Sequence, residues 1–352
     1  MGYEEMRNAM KIIGITAMTV LVLSIASQAQ EYSDIIRIGN TVLDRIRIIE
    51  ERYDVIIYEV RGAKSQVNTD DVTEIIRGGT PENFENAEKA RREGKWSEAT
   101  RLYRECIASG RRKWVKAYSR FQLAECFAQW GSEDKSKLKS AVEEYDAFIK
   151  GYGSHRLVAD ALLGKAQALL DSGKTNEAKK AYGKLTSARY GVAWKLRGEL
   201  GLSEIKLQMR NPAAAGEIEK IIKEAERRGI RDVSERASSL LVEACMKCGR
   251  YAQAAAIIKK QLESSSLPDG EKASLHNRLG ECYSKMTGSD SMKKALFEYL
   301  KVLVLYKNVE DEYVFAVKHA IVLLEEMGGE NNKKRASELK GELQRALESS
   351  ER

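Results

Sequence analysis

Proline, histidine and cysteine are scarce in this chain of 352 residues, which contains 3 prolines, 3 histidines and 5 cysteines. Proline removes a backbone donor and clashes with the preceding helical turn, so its scarcity permits long helices. The charge pattern is also informative, because 59 basic and 52 acidic side chains alternate along the chain without forming a basic arm. A surplus of +7 spread in this way is typical of a solvated surface rather than of a nucleic-acid interface.

Sequence signatures of catalysis are missing as well. The three histidines, His155, His276 and His319, lie far apart, and none stands near a nucleophile or a carboxylate pair at helical spacing. The sequence has no glycine-rich phosphate loop and no Gly-x-Ser-x-Gly motif. We therefore expect structural or solvent-exposed histidines and a protein that is not an enzyme. We also expect no cofactor, no metal and no small-molecule substrate.

The cysteines are too few for a disulfide scaffold, and their odd number leaves at least one without an intramolecular partner. We expect them to be small buried residues of helices. Cys245 and Cys248 have the spacing of a redox pair, but such a pair opens a helix, whereas this one precedes Gly249 near a helix end. A second pair that would complete a zinc site is missing. A structural role is favoured, and redox and metal roles stay open. The cysteines are Cys106, Cys126, Cys245, Cys248 and Cys282.

The N-terminal segment has the features of a signal peptide. Residues 12–26 form an uncharged, largely apolar run that follows two basic residues. Ser27 and Ala29 fit the small-residue sites of a signal peptidase, which predicts a signal peptide over 1–29 that is cleaved after Ala29. The mature chain would then be exported and periplasmic or envelope-associated. The run is short for a membrane span, but an inner-membrane anchor over 12–26 is the alternative.

Residues 31–79 have the pattern of a small β module. Short runs rich in Ile, Val and Tyr alternate with turn residues, and in Arg45-Ile46-Arg47-Ile48 the isoleucines fall on one face. Five short strands in so few residues can bury a core by curling into a tight barrel, which also removes exposed edges. The predicted strands are 34–38, 42–50, 53–60, 65–67 and 72–76.

This module resembles the small SH3-like or Sm-like barrels that open many exported repeat proteins. It begins with Asp-Ile-Ile-Arg-Ile-Gly-Asn and ends with Val-Thr-Glu-Ile-Ile. The Sm-like resemblance implies RNA binding as one option, but the signal peptide and the small number of stacking aromatics, Tyr53 and Tyr58, oppose it. An adaptor or oligomer-contact module is the favoured interpretation. The candidate RNA-binding residues would be Arg37, Arg45, Arg47 and Arg61.

An internal repeat fills residues 80–308. The segments 123–127, Leu-Ala-Glu-Cys-Phe, and 279–283, Leu-Gly-Glu-Cys-Tyr, almost superimpose, and each precedes an Ala-x-x-x-Tyr pair. Such an alanine recurs about every 40 residues over six units, and Ala215 with Glu219 is the least clear member. The other repeat positions are Ala99 with Tyr103, Ala141 with Tyr145, Ala178 with Tyr182, Ala254 with Ile258 and Ala295 with Tyr299.

The repeat resembles the tetratricopeptide repeat (TPR) family, whose unit is a helical hairpin. The turn motif Gly-Lys-Trp-Ser-Glu-Ala over 94–99 matches the family pattern, as do 249–254 and, nearly, 173–178. The resemblance implies a mainly α chain, with a TPR-like superhelix of about six hairpins and C-terminal capping helices over 309–352. A small five-stranded β-barrel-like domain would precede it. The closing proline of each repeat is missing, two loops are longer, and the unit near Pro212 is degenerate.

In this family the first helices line a concave surface, and one inward position follows the small Gly or Ala residue. Five of the six residues at these first-helix positions are glutamates, which predicts an acidic row that binds a cationic peptide segment or a free amino terminus. The alternative is that glutamate is a good helix former that pairs with Lys or Arg of the next repeat. The six first-helix positions are Glu88, Glu125, Gln167, Glu204, Glu243 and Glu281.

The resemblance implies a non-catalytic scaffold that binds a protein or peptide partner along this concave face. A structural or assembly subunit of the cell envelope, in which copies of the chain associate, is the second interpretation. RNA binding through the Sm-like module is the third, and we expect no nucleic acid partner.

Overall fold

The computed structural model describes residues 33–211, 213–263 and 267–350, with side chains to Arg345 apart from that of Ser289. The predicted signal peptide over 1–29 and the alternative anchor over 12–26 lie outside the described residues. Within the described ranges, no helix combines the length and the apolar character that crossing a membrane requires.

Five antiparallel strands form one sheet near the start of the described chain. They are β1 (Asp34–Ile38), β2 (Thr41–Glu51), β3 (Val55–Val60), β4 (Ala63–Asn68) and β5 (Glu74–Ile76), in the order β4-β3-β2-β1-β5. The predicted alternation in β2 is confirmed, because Ile46 and Ile48 are buried while Arg45 is exposed. Ile36 and Ile56 complete this small core.

The sheet is open, which corrects the prediction of a barrel-like closure. Its edges are β4 and β5, and β5 pairs with β1 through only three residues. The end of β2 turns instead to the helical part of the chain. Arg52 forms an antiparallel bridge with His155, and the backbone N–H of Tyr53 donates a 3.0 Å hydrogen bond to the carbonyl of Ser154. The end of β2 is therefore bonded to the helical part of the chain.

Helical hairpins make up the rest of the described residues, so the predicted fold class of TPR-like repeat helices after a five-stranded sheet is confirmed. In the first, third and fifth hairpins the turn needs a left-handed residue: Gly94, Gly173 and Gly249 have φ of 69°, 78° and 71°. The fourteen α-helices within the described ranges are α1 (Glu82–Arg92), α2 (Trp96–Ser109), α3 (Lys113–Trp130), α4 (Lys137–Gly151), α5 (Val158–Asp171), α6 (Thr175–Leu185), α7 (Gly191–Gln208), α8 (Ala213–Arg228), α9 (Arg231–Lys247), α10 (Tyr251–Leu262), α11 (Asp269–Ser284), α12 (Ser289–Leu305), α13 (Glu310–Met327) and α14 (Glu330–Ser350).

The chain folds as two compact units, and the first ends at Leu202 while the second begins at Ser203. In the first unit the sheet lies along the junctions between successive hairpins. Arg112, before α3, donates hydrogen bonds of 2.7 Å and 3.0 Å to the carbonyls of Gly78 and Gly79. Tyr190, before α7, contacts Tyr53 edge to face with ring centroids 5.9 Å apart. Together with the contact at His155, the sheet therefore touches three consecutive junctions.

Candidate protein-interaction surface

In four hairpins the second helix buries both the alanine and the tyrosine that the repeat pattern singles out. Glycines on neighbouring first helices allow the rings to approach closely. A Cβ atom added at Gly164 would stand 2.4 Å from the hydroxyl oxygen of Tyr145, and one at Gly201 would stand 2.2 Å from the Tyr182 ring. Of the repeat positions, Ala215 is 5% exposed, and those at most 1% exposed are Ala99, Tyr103, Ala141, Tyr145, Ala178, Tyr182, Ala254, Ile258, Ala295 and Tyr299.

In the first unit, each of these tyrosines donates a hydrogen bond to a first-helix position of its own hairpin. Tyr103 binds Glu88 Oε1 at 2.5 Å, and Tyr145 binds Glu125 Oε1 at 2.5 Å. Tyr182 binds the amide oxygen of Gln167 at 3.0 Å. The residue before each acceptor is a buried alanine. The side chains at these positions are therefore partly buried and oriented by the core of the hairpin.

Electrostatics fixes the direction of these hydrogen bonds. Burial raises the pKa values of Tyr103 and Tyr145, so both phenols keep their protons and donate them to the first helix. Burial also raises the pKa of Glu125, an effect that the Tyr145 hydrogen bond and the charge of Arg91 only partly offset. The negative charge of Glu88 is balanced by an ion pair with Arg91, whose Nη2 atom lies 2.9 Å from Glu88 Oε2.

The first-helix positions of the second unit have different partners. Glu204 lies 3.4 Å from Arg236 of the next first helix, and Glu243 lies 2.5 Å from Lys247 on its own helix. Glu281 follows Gly280, where an added Cβ would stand 2.7 Å from the Tyr299 ring. The Glu204–Arg236 pair fits the alternative interpretation, in which glutamate pairs with Lys or Arg of the next repeat. The six positions therefore do not form one uniform acidic row, because several carboxylates already have a cationic partner.

A buried ion cluster attaches the sheet to the hairpins of the first unit. The Glu51 side chain is 1% exposed and contacts Arg77. Its Oε2 atom also accepts hydrogen bonds from the Tyr118 hydroxyl at 2.6 Å and from Arg156 Nε at 2.7 Å. Arg77 Nη1 lies 3.0 Å from Asp34 Oδ2. Two carboxylates thus balance two guanidinium groups away from water.

This cluster shifts the protonation of its members. Burial alone would raise the pKa of Glu51, but the charges of Arg77 and Arg156 outweigh it and lower the pKa to about 2. Burial lowers the pKa of the neighbouring His155 to about 4, so this ring is neutral near pH 7. The backbone N–H of Leu157 donates to its Nδ1 atom at 3.2 Å.

No sequence pattern singles out this cluster. A strict alternation in β2 would put Glu51 on the face opposite Ile46 and Ile48, yet all three are buried. The irregular register between Ile48 and Glu50 accounts for this, because a bulge moves the following residues to the other face. Nothing in the pattern of β2 predicts the bulge, and the partner Arg156 lies more than a hundred positions away in the sequence.

The other two histidines contact neighbouring side chains, and four of the five cysteines are buried, as expected. His276 Nδ1 lies 2.7 Å from Glu298 Oε2 in a buried pair, and the His319 ring lies 4.2 Å from that of Phe315. Cys245 is buried, which raises its thiol pKa, whereas Cys248 is exposed at the end of α9. Among the described residues, no group of His, Cys, Asp and Glu is arranged to hold a metal ion.

The arginines considered for RNA binding are partly engaged with carboxylates. Arg37 Nε lies 2.7 Å from Glu74 on the neighbouring strand β5, and Arg47 contacts Glu59 on β3. Arg45 and Arg61 have positive φ angles of 51° each, in a strand irregularity and in the β3–β4 turn. The four side chains therefore belong to different local structures.

Comparison with known proteins supports the fold. No family model matches the sequence, and no curated protein matches it. A signal-transduction ATPase of the STAND class with a TPR sensor, from Pyrococcus horikoshii, has a TM-score of 0.56 and 15% identity, over 74% of this chain and 41% of its own. A TPR protein from Parabacteroides merdae has a TM-score of 0.47 and 16% identity, over 76% of this chain and 98% of its own. At such identities the likeness concerns the fold, and this chain has a TPR-like repeat fold.

Proposed function

We propose that this chain is a non-catalytic protein-interaction scaffold whose first-helix positions bind a segment of a partner protein. The observation that carries the proposal is the set of hydrogen bonds from Tyr103, Tyr145 and Tyr182 to the first-helix side chains. Each bond occupies one oxygen and fixes the orientation of the group. A partner then binds an ordered surface and loses less conformational entropy on association.

The chemistry of the surface indicates a partner segment with basic groups. In the first unit the negative charge of Glu125 is only partly compensated, since the hydrogen bond that it accepts comes from the neutral phenol of Tyr145. In the second unit Glu243 is 45% exposed although it lies beside Lys247. Ammonium and guanidinium groups are the donors that such carboxylates accept, and charge complementarity mainly raises association rate and specificity.

Glutamine substitutions test the proposal better than charge reversal does. Gln167 already accepts the hydrogen bond from Tyr182, so Glu88→Gln with Glu125→Gln should keep the tyrosine bonds while removing both charges. The immobilised full chain would capture partners from an extract of the native cells. We expect a captured protein that the double variant loses and that a control with the same charge change, Glu143→Gln with Glu177→Gln on second helices, retains. Equal capture by the wild-type chain and both variants contradicts the proposal.

Export to the periplasm or cell envelope is part of the proposal and rests on the composition of 12–29. N-terminal sequencing of the mature chain from fractionated cells tests it. We expect Gln30 as the first residue, outside the cytosol. A chain in the cytosol that begins at Met1 or Met6 contradicts export.

Self-association into an envelope structure is the alternative function. The sheet is occupied by intramolecular contacts at three hairpin junctions, but its edge strand β4 is almost entirely exposed. Exposed edges can pair with another chain. Mass measurement over a range of concentrations separates the two functions, because the alternative requires assemblies and the scaffold proposal does not.

A further inference from the structure

A basic cleft of about 330 Å³ lies in the first unit between the sheet and the start of α3. It is separate from the first-helix positions described above. Among the described residues, four cationic side chains line it and only one carboxylate does. The lining includes Arg47, Arg77, Arg112, Lys113 and Asp34, with Trp114.

The one carboxylate in the lining is already fully used. Asp34 Oδ1 accepts a 2.9 Å bond from the backbone N–H of Gly78, and Oδ2 accepts a 2.8 Å bond from that of Ile48 while contacting Arg77. Arg112 binds only backbone carbonyls, and within the described ranges neither Arg112 nor Lys113 has a carboxylate partner. Positive charge in the cleft is therefore in excess.

The backbone adds donors to the same place. Helix α3 begins at Lys113, its first turn contains no acidic residue, and no side chain caps its first N–H groups. These groups have no acceptor within the helix and carry the positive end of the helix dipole. A basic side chain in the first turn of a helix is destabilising, because it lies beside the positive end of the dipole. A bound anion at this place is stabilising, because it balances both positive charges.

A buried donor near the cleft independently indicates a ligand. The Arg77 side chain is only 9% exposed, and its guanidinium lies 5.5 Å from the centroid of the Trp114 ring. Its Nη atoms bind Asp34 and Glu51, but its buried Nε–H has no hydrogen-bond partner among the described residues. An unsatisfied buried donor is costly, and an anion in the cleft would place negative charge beside this guanidinium, which lines the cleft.

We propose that this cleft is a binding site for a phosphate group, free or as a small phosphate monoester. The guanidinium of Arg112 and the ammonium of Lys113 line the cleft at the start of α3, and several donors at one place suit a tetrahedral oxyanion with several acceptor oxygens. The site does not depend on the proposed scaffold function, so each proposal stands or fails separately.

Isothermal titration of the purified full chain tests the site, with inorganic phosphate, a small phosphate monoester and acetate as ligands in chloride buffer of constant ionic strength. We expect saturable binding of phosphate or of the monoester, and weaker binding of acetate. If the monoester alone saturates the site, the ligand is an organic phosphate, and if both bind equally, the phosphate group suffices. No saturation by either phosphate ligand, or equal binding of acetate, overturns the proposal.

Two variants link the binding to the cleft. Lys113→Gln removes a charge from the lining and should weaken phosphate binding about fivefold to tenfold. Arg111 lies two positions before Lys113, and its side chain does not line the cleft. Arg111→Gln removes the same charge and should leave phosphate binding unchanged. Arg112→Gln also breaks the contacts with Gly78 and Gly79, so it is a secondary variant. Equal weakening by the Lys113 and Arg111 variants would show general charge attraction and overturn the site.

Discussion

The hydroxyl of Tyr145 on α4 donates a 2.5 Å hydrogen bond to Glu125 Oε1 on α3, so a buried residue of the second helix orients a carboxylate of the first. The same relation joins Tyr103 to Glu88 and Tyr182 to Gln167. The aromatic residue of the repeat therefore has two roles in these hairpins. Its ring fills the space beside a small residue, and its hydroxyl holds the side chain that we propose for partner binding.

Glu125→Gln should stabilise the protein at about pH 7. Burial raises the pKa of Glu125 in the folded chain above its unfolded value, so the folded state is favoured when this carboxyl is protonated and loses that stability as pH rises through the folded pKa. Glutamine stays neutral and keeps an acceptor for Tyr145, as Gln167 does for Tyr182. The free energy of unfolding should exceed that of the wild-type chain at about pH 7, and the difference should shrink at about pH 4, where the glutamate is itself protonated.

Denaturant unfolding at both pH values measures this effect, and Glu143→Gln is the control. Glu143 is exposed and lies 3.9 Å from Lys139, so its substitution should change the unfolding free energy by less than about 0.5 kcal/mol. A Glu125→Gln variant that is less stable than the wild-type chain at neutral pH would contradict the assigned role of burial.

Gly164→Ala should destabilise the first unit, whereas Gly183→Ala should not. The added methyl at Gly164 would stand 2.4 Å from the Tyr145 hydroxyl oxygen, and overpacking of this kind costs about 1–3 kcal/mol. Nothing lies within 4 Å of a Cβ added at Gly183, inside α6, where alanine should add about 0.5–1 kcal/mol through its helix propensity. Unfolding free energies of the two variants should therefore change in opposite directions. Equal effects would show that the close approach at Gly164 is not needed.

Glu51→Gln should strongly destabilise the attachment of the sheet. Removing the Glu51 charge leaves Asp34, which contacts Arg77, to balance both Arg77 and Arg156, and breaking a buried ion pair in this way costs about 3–5 kcal/mol. The neighbouring Glu50→Gln is the control, because Glu50 pairs with Arg52 at 2.8 Å on the exposed face and should contribute little. Chemical unfolding compares the two variants. A loss at Glu51 no greater than that at Glu50 would contradict the role of the cluster.

Acid should destabilise the protein in two steps. The pKa of His155 is lowered to about 4 by burial, so its unfolded form takes up a proton first and stability falls from about pH 6.5 to about pH 4. The pKa of Glu51 is lowered to about 2, so the stability it provides above about pH 4.5 is lost as pH falls towards that value.

His155→Phe separates the two steps. Phenylalanine can keep the edge contacts with Tyr118 and Phe148, although it loses the acceptor for the Leu157 N–H at every pH. Plots of unfolding free energy against pH should therefore be flatter for the variant in the upper window and similar in the lower one. An unchanged slope in the upper window would assign that step to another group.

Sequence patterns predicted local structure better than they predicted contacts between distant segments. The period of the alanines and tyrosines gave the hairpins, and the alternation around Ile46 and Ile48 gave the main strand. Openness of the sheet was not predictable in this way. It depends on a bulge in β2 and on contacts with residues such as Arg156, which are distant in sequence.

The candidate surface shows the same division. Reading one position per repeat identified the first-helix side chains, because helical periodicity fixes which residues share a face. It did not reveal that Tyr145 would bind Glu125, nor that Glu204 would meet Arg236 of the next first helix. Such partners depend on how the helices pack against one another, and a single sequence carries no direct signal for that.

Amide hydrogen exchange of the full chain, with and without the protein that it captures, tests the central claim most directly. If a partner segment binds the first-helix positions, exchange should slow in α3 and α5, which carry Glu125 and Gln167, more than in the second helices α4 and α6. Protection confined to second helices or to the sheet would place the partner elsewhere and contradict the proposed scaffold surface.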